Sequence, residues 1–244
     1  MPKSVRRNRK TLVIVSAIAI VALISIGAVL SQQKSTSSTE TTTQSSKPVI
    51  LYVNQGNALV STKNYSALLN FAKAQGFNTI FFQVYRSGNL LFSASNLTYF
   101  ADTAHLEKLK IFFALYFTGQ NQLIPASIYG LGEDGISLDM SALSSTVQSN
   151  LLGTLKQNYK AGLSAVTSTN LTTTLHPDML ILETYQVQNS SSDAFIHPGI
   201  IASVEPLAMQ SESAYSSQYR YDLHNSDGVM VFDYYGLLKT GYQS

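Results

Sequence analysis

Eight short runs of strand-forming residues are the feature that most constrains the fold of this chain. They cover residues 49–54, 79–86, 111–118, 135–141, 162–168, 179–186, 199–207 and 228–236. Helical patterns lie between several of the runs, and alternating strands and helices indicate a parallel sheet in an α/β domain. Eight such units predict a closed (β/α)8 barrel of the TIM type, and a doubly wound open sheet is the alternative fold.

The strand-bearing region is short for such a barrel. Barrels of this kind typically take ~250 residues and at least about 200, whereas the first run begins only at residue 49 of 244. Between the fifth and sixth runs, residues 169–178 (TNLTTTLHPD) are too few and too β-branched for a good helix. Nothing helical is recognisable after the eighth run. We therefore expect a compact barrel that lacks one or two helices.

An apolar stretch without charges, residues 11–30, precedes this domain and is about long enough to span a membrane. Residues 1–10 are basic, and a positive flank keeps that end in the cytoplasm. A cleaved signal peptide is the alternative, although its apolar part is typically shorter, ~7–15 residues. We expect a cytoplasmic tail, an uncleaved single-pass anchor, a Ser/Thr-rich linker over 31–48, and an extracytoplasmic domain over 49–244.

Charge and cysteine content exclude several function classes. Of the 16 Lys and Arg residues, seven precede residue 48, which leaves nine against thirteen acidic residues in 49–244. A domain with this negative balance gives no reason to expect nucleic acid as a partner. The chain has no cysteine, so disulfides, thiolate catalysis and cysteine-ligated zinc are all excluded.

Motifs for metals and cofactors are missing from the sequence. The four histidines are His105, His176, His197 and His224, and none is paired at a spacing typical of metal ligands. The chain contains no G-x-S-x-G and no P-loop sequence. We therefore predict neither a metal nor a cofactor.

Polar residues recur on one face of the strand runs, toward their C-terminal ends. They are Tyr52, Asn54, Gln83, Tyr85, Tyr116, Ser137, Asp139, Glu183, Tyr185, Ser203, Glu205, Asp233 and Tyr235. The alternate residues, such as Leu138, Leu182, Val204 and Phe232, are apolar and should face the helices. In a barrel the polar set would point inward at the mouth, where active sites of this fold lie.

Four of these polar residues are acidic, namely Asp139, Glu183, Glu205 and Asp233, and Arg86 is the one cation near them in the pattern. Carboxylates gathered in a partly dry site raise one another's pKa, which suits acid–base catalysis. Glycoside hydrolysis needs two carboxyl groups on opposite sides of one bond, and aromatic rims suit sugar rings. A single acidic residue at a strand end is more often a helix cap or a loop partner.

Three segments resemble known barrels. Residues 76–95, GFNTIFFQVYRSGNLLFSAS, resemble the second strand of bacterial glycoside-hydrolase-like (β/α)8 barrels. Residues 134–139, DGISLD, resemble the fourth strand of many sugar-cleaving barrels, chitinase-like ones included. Residues 227–237, DGVMVFDYYGL, resemble their closing strand. The resemblance implies a carbohydrate-active barrel whose partner is a carbohydrate or an envelope glycan.

The chain departs from the chitinase-like pattern at two positions. That pattern has a catalytic glutamate where this chain has Ser141, and a middle aspartate where it has Ser137. Substrate-assisted catalysis of the chitinase type is therefore not expected. The strand-four and strand-seven arrangement of sugar-cleaving barrels would correspond to Asp139 and Glu205.

We predict that Glu205 and Glu183 form the catalytic pair, while Asp139 positions the substrate or tunes a neighbouring pKa. The residues predicted to line the sugar site are Tyr52, Asn54, Gln83, Tyr85, Arg86, Tyr116, Tyr185, Asp233 and Tyr235. The alternative is a non-catalytic module that binds glycans or envelope components. A structural surface protein, whose carboxylates pair with Arg86, Arg220 or backbone amides, is a third hypothesis.

Overall fold

The computed structural model describes residues 47–54, 60, 63–119, 123–140, 142–159, 163–168, 177–183 and 199–244. The predicted cytoplasmic tail, the membrane anchor and most of the linker lie outside these ranges. Within them, no helix combines the length and the apolar character needed to cross a membrane.

Eight parallel strands curl into a ring. They are β1 (Val49–Val53), β2 (Thr79–Arg86), β4 (Lys110–Tyr116), β5 (Gly135–Asp139), β6 (Leu163–Ser168), β7 (Met179–Leu182), β8 (Ile201–Val204) and β9 (Gly228–Val231). Each pairs with the next parallel strand along the chain, and β9 returns to pair with β1. The two-residue strand β3 (Asn89–Leu90) runs antiparallel to the end of β2. The prediction of a barrel-type parallel sheet is confirmed.

Five helices have described bounds. They are α1 (Tyr65–Ala74), α2 (Ala94–Leu106), α3 (Ser145–Asn158), α4 (Glu212–Asn225) and α5 (Tyr234–Thr240). Four of them begin at a polar side chain that accepts a hydrogen bond from the backbone N–H three residues on, which satisfies a free donor of the first turn. These N-caps are Asn64, Ser93, Ser211 and Asp233. Between β4 and β5 the described residues include a 3₁₀ turn at Ala126–Ile128.

Helix α5 corrects the expectation that nothing helical follows the eighth strand. The strand ends at Val231, and the Asp233 side chain accepts a hydrogen bond from the Gly236 N–H and so caps a new helix. The helix buries Tyr234 and Leu237 and ends at Gly241, which adopts the left-handed φ of 72° that glycine favours. Most of the loop expected to lack a helix, residues 169–176 of 169–178, lies outside the described residues.

A β-bulge in β2 changes which side chains point inward. The pairing with β4 shifts between Gln83 and Tyr85, so Val84 and Tyr85 both pack on the outer, helix-facing side of the sheet. The Tyr85 ring lies 5.4 Å from the ring of Phe117 there. The prediction that Tyr85 points into the barrel is therefore wrong, because the bulge breaks the simple alternation of the strand.

The inside of the barrel is filled by an apolar cluster that is separate from the one between the sheet and the helices. Its buried members are Ile50, Tyr52, Phe81, Phe112, Ala114, Ile181, Ile201 and Met230. Leu138 and Val204 pack on the outer side, as expected. Phe232 was also expected outside, but it packs against the interior cluster, and its ring centroid is 4.7 Å from that of Tyr52. Met230, two residues earlier, already points inward, so the predicted phase of the last strand was wrong by one residue.

At the N-terminal end of the barrel, the residues just before β1 bind to α4 and β9. Lys47 Nζ donates to the carbonyl oxygens of Leu223, His224 and Ser226 at the C-terminal end of α4, at 2.9, 3.3 and 2.7 Å. The Val229 N–H donates to the Pro48 carbonyl oxygen at 3.0 Å. These contacts fix the seam where the first strand meets the last.

Candidate functional site

Three predicted site residues meet at the C-terminal ends of neighbouring strands. Asn54 directly follows β1, Glu205 directly follows β8, and Asp233 lies two residues beyond β9, which sits between the other two strands. Asn54 Nδ2 donates a hydrogen bond to Asp233 Oδ2. Asp233 is also close enough to Glu205 for its charge to raise the pKa of the Glu205 carboxyl. Closure of the ring therefore assembles an amide and two carboxyl groups.

The two carboxyl groups of this cluster are held differently. Asp233 is buried, and its Oδ1 accepts the Gly236 N–H at 2.9 Å while its Oδ2 accepts from Asn54. Burial raises the pKa of Asp233, and the hydrogen bonds partly oppose that increase. The pKa of Glu205 is raised first by burial and second by the negative charge of Asp233. Asp233 is thus fixed in place, and Glu205 keeps its proton to a higher pH than a free glutamic acid.

The other two acidic residues lie at the same end of the barrel. Glu183 directly follows β7, the strand next to β8, and Asp139 is the last residue of β5. Both side chains are buried. In the sheet register Asp139 lies beside Tyr116 of β4. All four predicted carboxylates therefore come from the C-terminal ends of barrel strands, as the sequence pattern indicated.

Below the carboxylates, polar and aromatic groups meet in the barrel interior. Gln83 Nε2 donates to the Tyr52 hydroxyl at 3.2 Å, and both side chains are buried. Phe232 contacts the same tyrosine ring. Sequence reasoning found Tyr52 and Gln83 but missed Phe232. Its spacing of two residues from Met230 was the available signal.

The exposed rim holds another predicted pair. Arg86 lies over the Tyr116 ring, with the guanidinium carbon 5.6 Å from the ring centroid. A tight turn after β2 holds this arrangement, because the Ser87 N–H donates to the Tyr116 carbonyl oxygen at 3.2 Å. The Ser87 hydroxyl also lies 2.9 Å from that of Thr118. Arg86 thus extends a cationic group over an aromatic face at the mouth.

The remaining predicted tyrosines do not join the interior. Tyr85 lies on the outer side of the sheet, as described above. Tyr235 is exposed in the first turn of α5, and Lys239 Nζ lies 5.8 Å from its ring centroid. Tyr235 was predicted on a strand, and the capping of α5 by Asp233 corrects this. Tyr185 lies outside the described residues.

In the part of the chain that the structure describes, no group of three or more His, Asp or Glu residues is arranged to hold a metal ion.

The amino-acid sequence of the chain was compared with protein-family models and with curated proteins. No protein-family model matches the chain, and no curated protein matches it.

Solved structures do match. A chitinase from Bacteroides thetaiotaomicron superposes with a TM-score of 0.58 at 12% identity, over 79% of this chain and 91% of that one. A maltogenic alpha-amylase from Thermotoga neapolitana gives 0.52 at 10% identity, over 78% and 67%. A GH113 beta-mannanase from Alicyclobacillus acidocaldarius gives 0.52 at 10% identity, over 76% and 85%. The predicted resemblance is thus confirmed at the level of the fold: this chain has a barrel like those of glycoside hydrolases.

Proposed function

We propose that this chain is a membrane-anchored, extracytoplasmic protein that hydrolyses glycosidic bonds at the C-terminal mouth of its barrel. The observation that carries the proposal is the Asn54, Asp233 and Glu205 cluster, in which a carboxyl group of raised pKa lies beside a fixed carboxyl group. Acid–base catalysis requires a carboxyl group that remains protonated near the working pH. The shared fold of the matched glycoside hydrolases supports the same conclusion.

Glu205 is assigned as the general acid. It protonates the leaving-group oxygen while the bond from that oxygen to the anomeric carbon breaks. Glu183, from the adjacent strand, is assigned as the second carboxyl group, either attacking the anomeric carbon or removing a proton from the attacking water. The net reaction adds one water, with a proton on the leaving oxygen and a hydroxyl on the anomeric carbon.

Asp233 and Asp139 are assigned supporting roles. Both Asp233 oxygens accept hydrogen bonds, from Gly236 and Asn54, which oppose the effect of burial on its pKa, and any charge it carries raises the pKa of Glu205. This gives Asp233 a tuning role in addition to the substrate contact predicted from the sequence. Asp139, at the end of β5, is assigned to orient the substrate.

Residues 11–30 and the basic residues before them support the proposed location at the cell membrane. The lack of cysteine offers a direct test. A Ser244→Cys variant of the full chain would carry a single thiol, and a membrane-impermeant maleimide should label it in intact cells. Labelling only after cell lysis would contradict an extracytoplasmic domain.

A non-catalytic glycan-binding role is the second candidate. The observation that favours it is Ser141, which stands where chitinase-like barrels have their catalytic glutamate. The two candidates differ in whether a product is released from the bound glycan.

The deciding experiment incubates the full-length protein in detergent with chitin, β-mannan and α-glucan oligosaccharides and measures new reducing ends. We expect Glu205→Gln and Glu183→Gln each to remove release, while Glu212→Gln, an exposed residue of α4, leaves it unchanged. Glycan binding without any release would favour the second candidate. If neither carboxyl variant alters release or binding, the assignment of the site is wrong.

A further inference from the structure

Two polar atoms inside the barrel have no hydrogen-bond partner among the described residues. They are Oε1 of Gln83, whose side chain is 5% exposed, and Oγ of Ser137, whose side chain is 1% exposed. Leaving such atoms buried and unpaired costs folding free energy, so most buried polar groups in proteins are paired. Their persistence calls for a partner that the described residues do not provide.

Both side chains face the barrel interior. Gln83 reaches the interior Tyr52 hydroxyl through its Nε2. Ser137 lies between Ile136 and Leu138, which pack on the outer side, so its own side chain points inward.

The strand register brings the two residues to the same level. Gln83 of β2 and Ser137 of β5 both pair with Ala114 of β4, one on each side. Two strand spacings therefore separate their backbones, roughly 9–10 Å. Between them the wall carries only the methyl group of Ala114, which belongs to the interior cluster. The smallest apolar side chain thus lies between two unpaired polar groups.

A second buried serine of the barrel does have a hydrogen-bond partner for its hydroxyl group. Ser203 of β8 is also buried, but its Oγ donates to the Leu182 carbonyl oxygen at 2.9 Å. The neighbouring strand therefore satisfies one buried serine hydroxyl, while that of Ser137 has no such acceptor in the part of the chain that the structure describes.

The charges nearby limit what could pair with these atoms. The mouth is lined by carboxylates, and Arg86, the cation at the rim, is exposed above Tyr116. The interior cluster, as far as it is described, contains no cation. An anionic group at this place would be repelled by the carboxylates and could not pair with Gln83 Oε1, which only accepts, whereas a hydroxyl or amide group could bond to both polar atoms.

We propose that Gln83 and Ser137 form a subsite that takes a neutral, hydroxyl- or amide-bearing substituent of a sugar bound at the mouth. Gln83 Oε1 accepts a hydrogen bond from the substituent, and Ser137 Oγ donates one to it or accepts one from it. The inference deepens the proposed function and rests on it. It selects uncharged sugars over uronates and other anionic sugars.

The test compares Ser137→Ala and Gln83→Met with the matched control Ser203→Ala, all in full-length Glu205→Gln protein so that turnover does not obscure binding. Affinities for chitotetraose, mannotetraose, maltotetraose and tetragalacturonate are measured by calorimetry, and Tm is measured without ligand. For the neutral sugar that binds best, we expect Ser137→Ala and Gln83→Met each to weaken binding about tenfold. We also expect Ser137→Ala to raise Tm by about 2–4 °C, because an unpaired hydroxyl is removed.

The control should behave in the opposite way. Ser203→Ala removes a satisfied hydrogen bond, so it should lower Tm by about 2–4 °C and leave affinity within about twofold. A lower Tm for Ser137→Ala would mean that its hydroxyl is already bonded in the free protein and would overturn the inference. Unchanged affinity in both test variants, or tetragalacturonate binding as tight as that of the neutral sugars, would overturn it too.

The outcomes separate this inference from the proposed function. Binding of neutral sugars that depends on Gln83 and Ser137, with no hydrolysis by the unsubstituted protein, would support the subsite and refute hydrolysis. Hydrolysis that depends on Glu205, together with binding that does not depend on Gln83 or Ser137, would refute the subsite alone. If the unsubstituted protein neither binds nor cleaves any of these sugars, both the subsite and the proposed function are refuted.

Discussion

Acidic side chains have different surroundings at the two ends of the barrel. At the N-terminal end, Glu133 accepts hydrogen bonds from the Gly130 and Leu131 N–H groups at 2.8 and 2.7 Å. Asp134 accepts from the Ile111 N–H at 2.8 Å, and its Oδ2 is 2.9 Å from His105 Nε2. These carboxylates are bonded to the backbone amides that lead into the strands.

At the C-terminal mouth, burial raises the pKa of both Glu205 and Asp233, and each lies just beyond a strand end. Carboxylates at the N-terminal end stabilise the fold by bonding to backbone donors. Those at the mouth are held in a setting that disfavours their charged form, which is typical of functional sites. The position along the strand therefore separates Glu133 and Asp134 from Glu205 and Asp233, whose pKa is raised by burial.

The largest expected difference between the two ends is in catalysis. Glu205→Gln removes the proton donor and should lower kcat/KM for the cleaved oligosaccharide by about 10²- to 10⁴-fold. Asp134→Asn, at the opposite end, should change kcat/KM by less than about threefold, since it touches no substrate. Reducing-end release under identical conditions measures both. Comparable losses in the two variants would break the distinction between the ends.

The next effect is on stability at the N-terminal seam. A Cβ at Gly228 would lie 2.5 Å from the Pro48 carbonyl oxygen and 2.7 Å from its Cγ. Gly228→Ala must therefore push β9 away from the chain before β1, and such overpacking typically costs about 1–3 kcal/mol. Denaturant unfolding of the full chain measures the loss.

Gly153→Ala is the matched control for the seam. This glycine lies in α3, and nothing is within 4 Å of its added Cβ. Because alanine favours helix more than glycine does, the control should gain about 0.5–1 kcal/mol. A Gly228→Ala variant as stable as the parent would show that the seam can widen without cost.

A smaller effect is expected from the acidic residues at the N-terminal end. Asp134→Ala removes the acceptor for the Ile111 N–H and the partner of His105, and should cost about 1–2 kcal/mol in unfolding free energy. Glu107→Ala, which breaks only an exposed ion pair with Lys73, should cost less than about 0.5 kcal/mol. Equal costs would mean that the backbone hydrogen bond adds nothing.

The sequence pattern located the strands and the acidic ring well, for a physical reason. Buried parallel strands are short apolar runs, and the residues that follow them gather at one edge of the sheet. The sequence pattern assigns all four carboxylates to that edge, and the structure has each of them at a strand end.

The pattern failed where the direction of a side chain, or the type of element that holds it, depends on a neighbouring strand or on a helix cap. The side chain of Tyr85 is turned outward by a bulge that exists only in the pairing with β4. Tyr235 was assigned to a strand because YYG follows an apolar run, but Asp233 caps a helix there. The contact between Asn54 and Asp233 crosses the seam between the first and last strands, so it required the ring to close.

The smallest effect concerns pH and tests the raised pKa of Glu205 itself. Because the pKa is raised in the folded protein, the folded state binds the proton more tightly than the unfolded chain. The stability that Glu205 contributes is therefore present below the unfolded pKa, ~4.3, and is lost as pH rises through the folded pKa. Glutamine cannot ionise, so Glu205→Gln should raise Tm at about pH 7 by roughly 1–3 °C, an amount reduced by solvent screening of a half-buried group.

At about pH 4 the same variant should show only a small part of this gain, because Glu205 is mostly protonated in both states there. Glu212→Gln, an exposed residue of α4, should show no comparable pH dependence. Thermal unfolding of the three proteins across this pH range measures the difference. A gain that is equal at both ends of the range would mean that Glu205 is not held in a setting that disfavours its charge. The contrast between the two ends of the barrel would then rest on Asp233 alone.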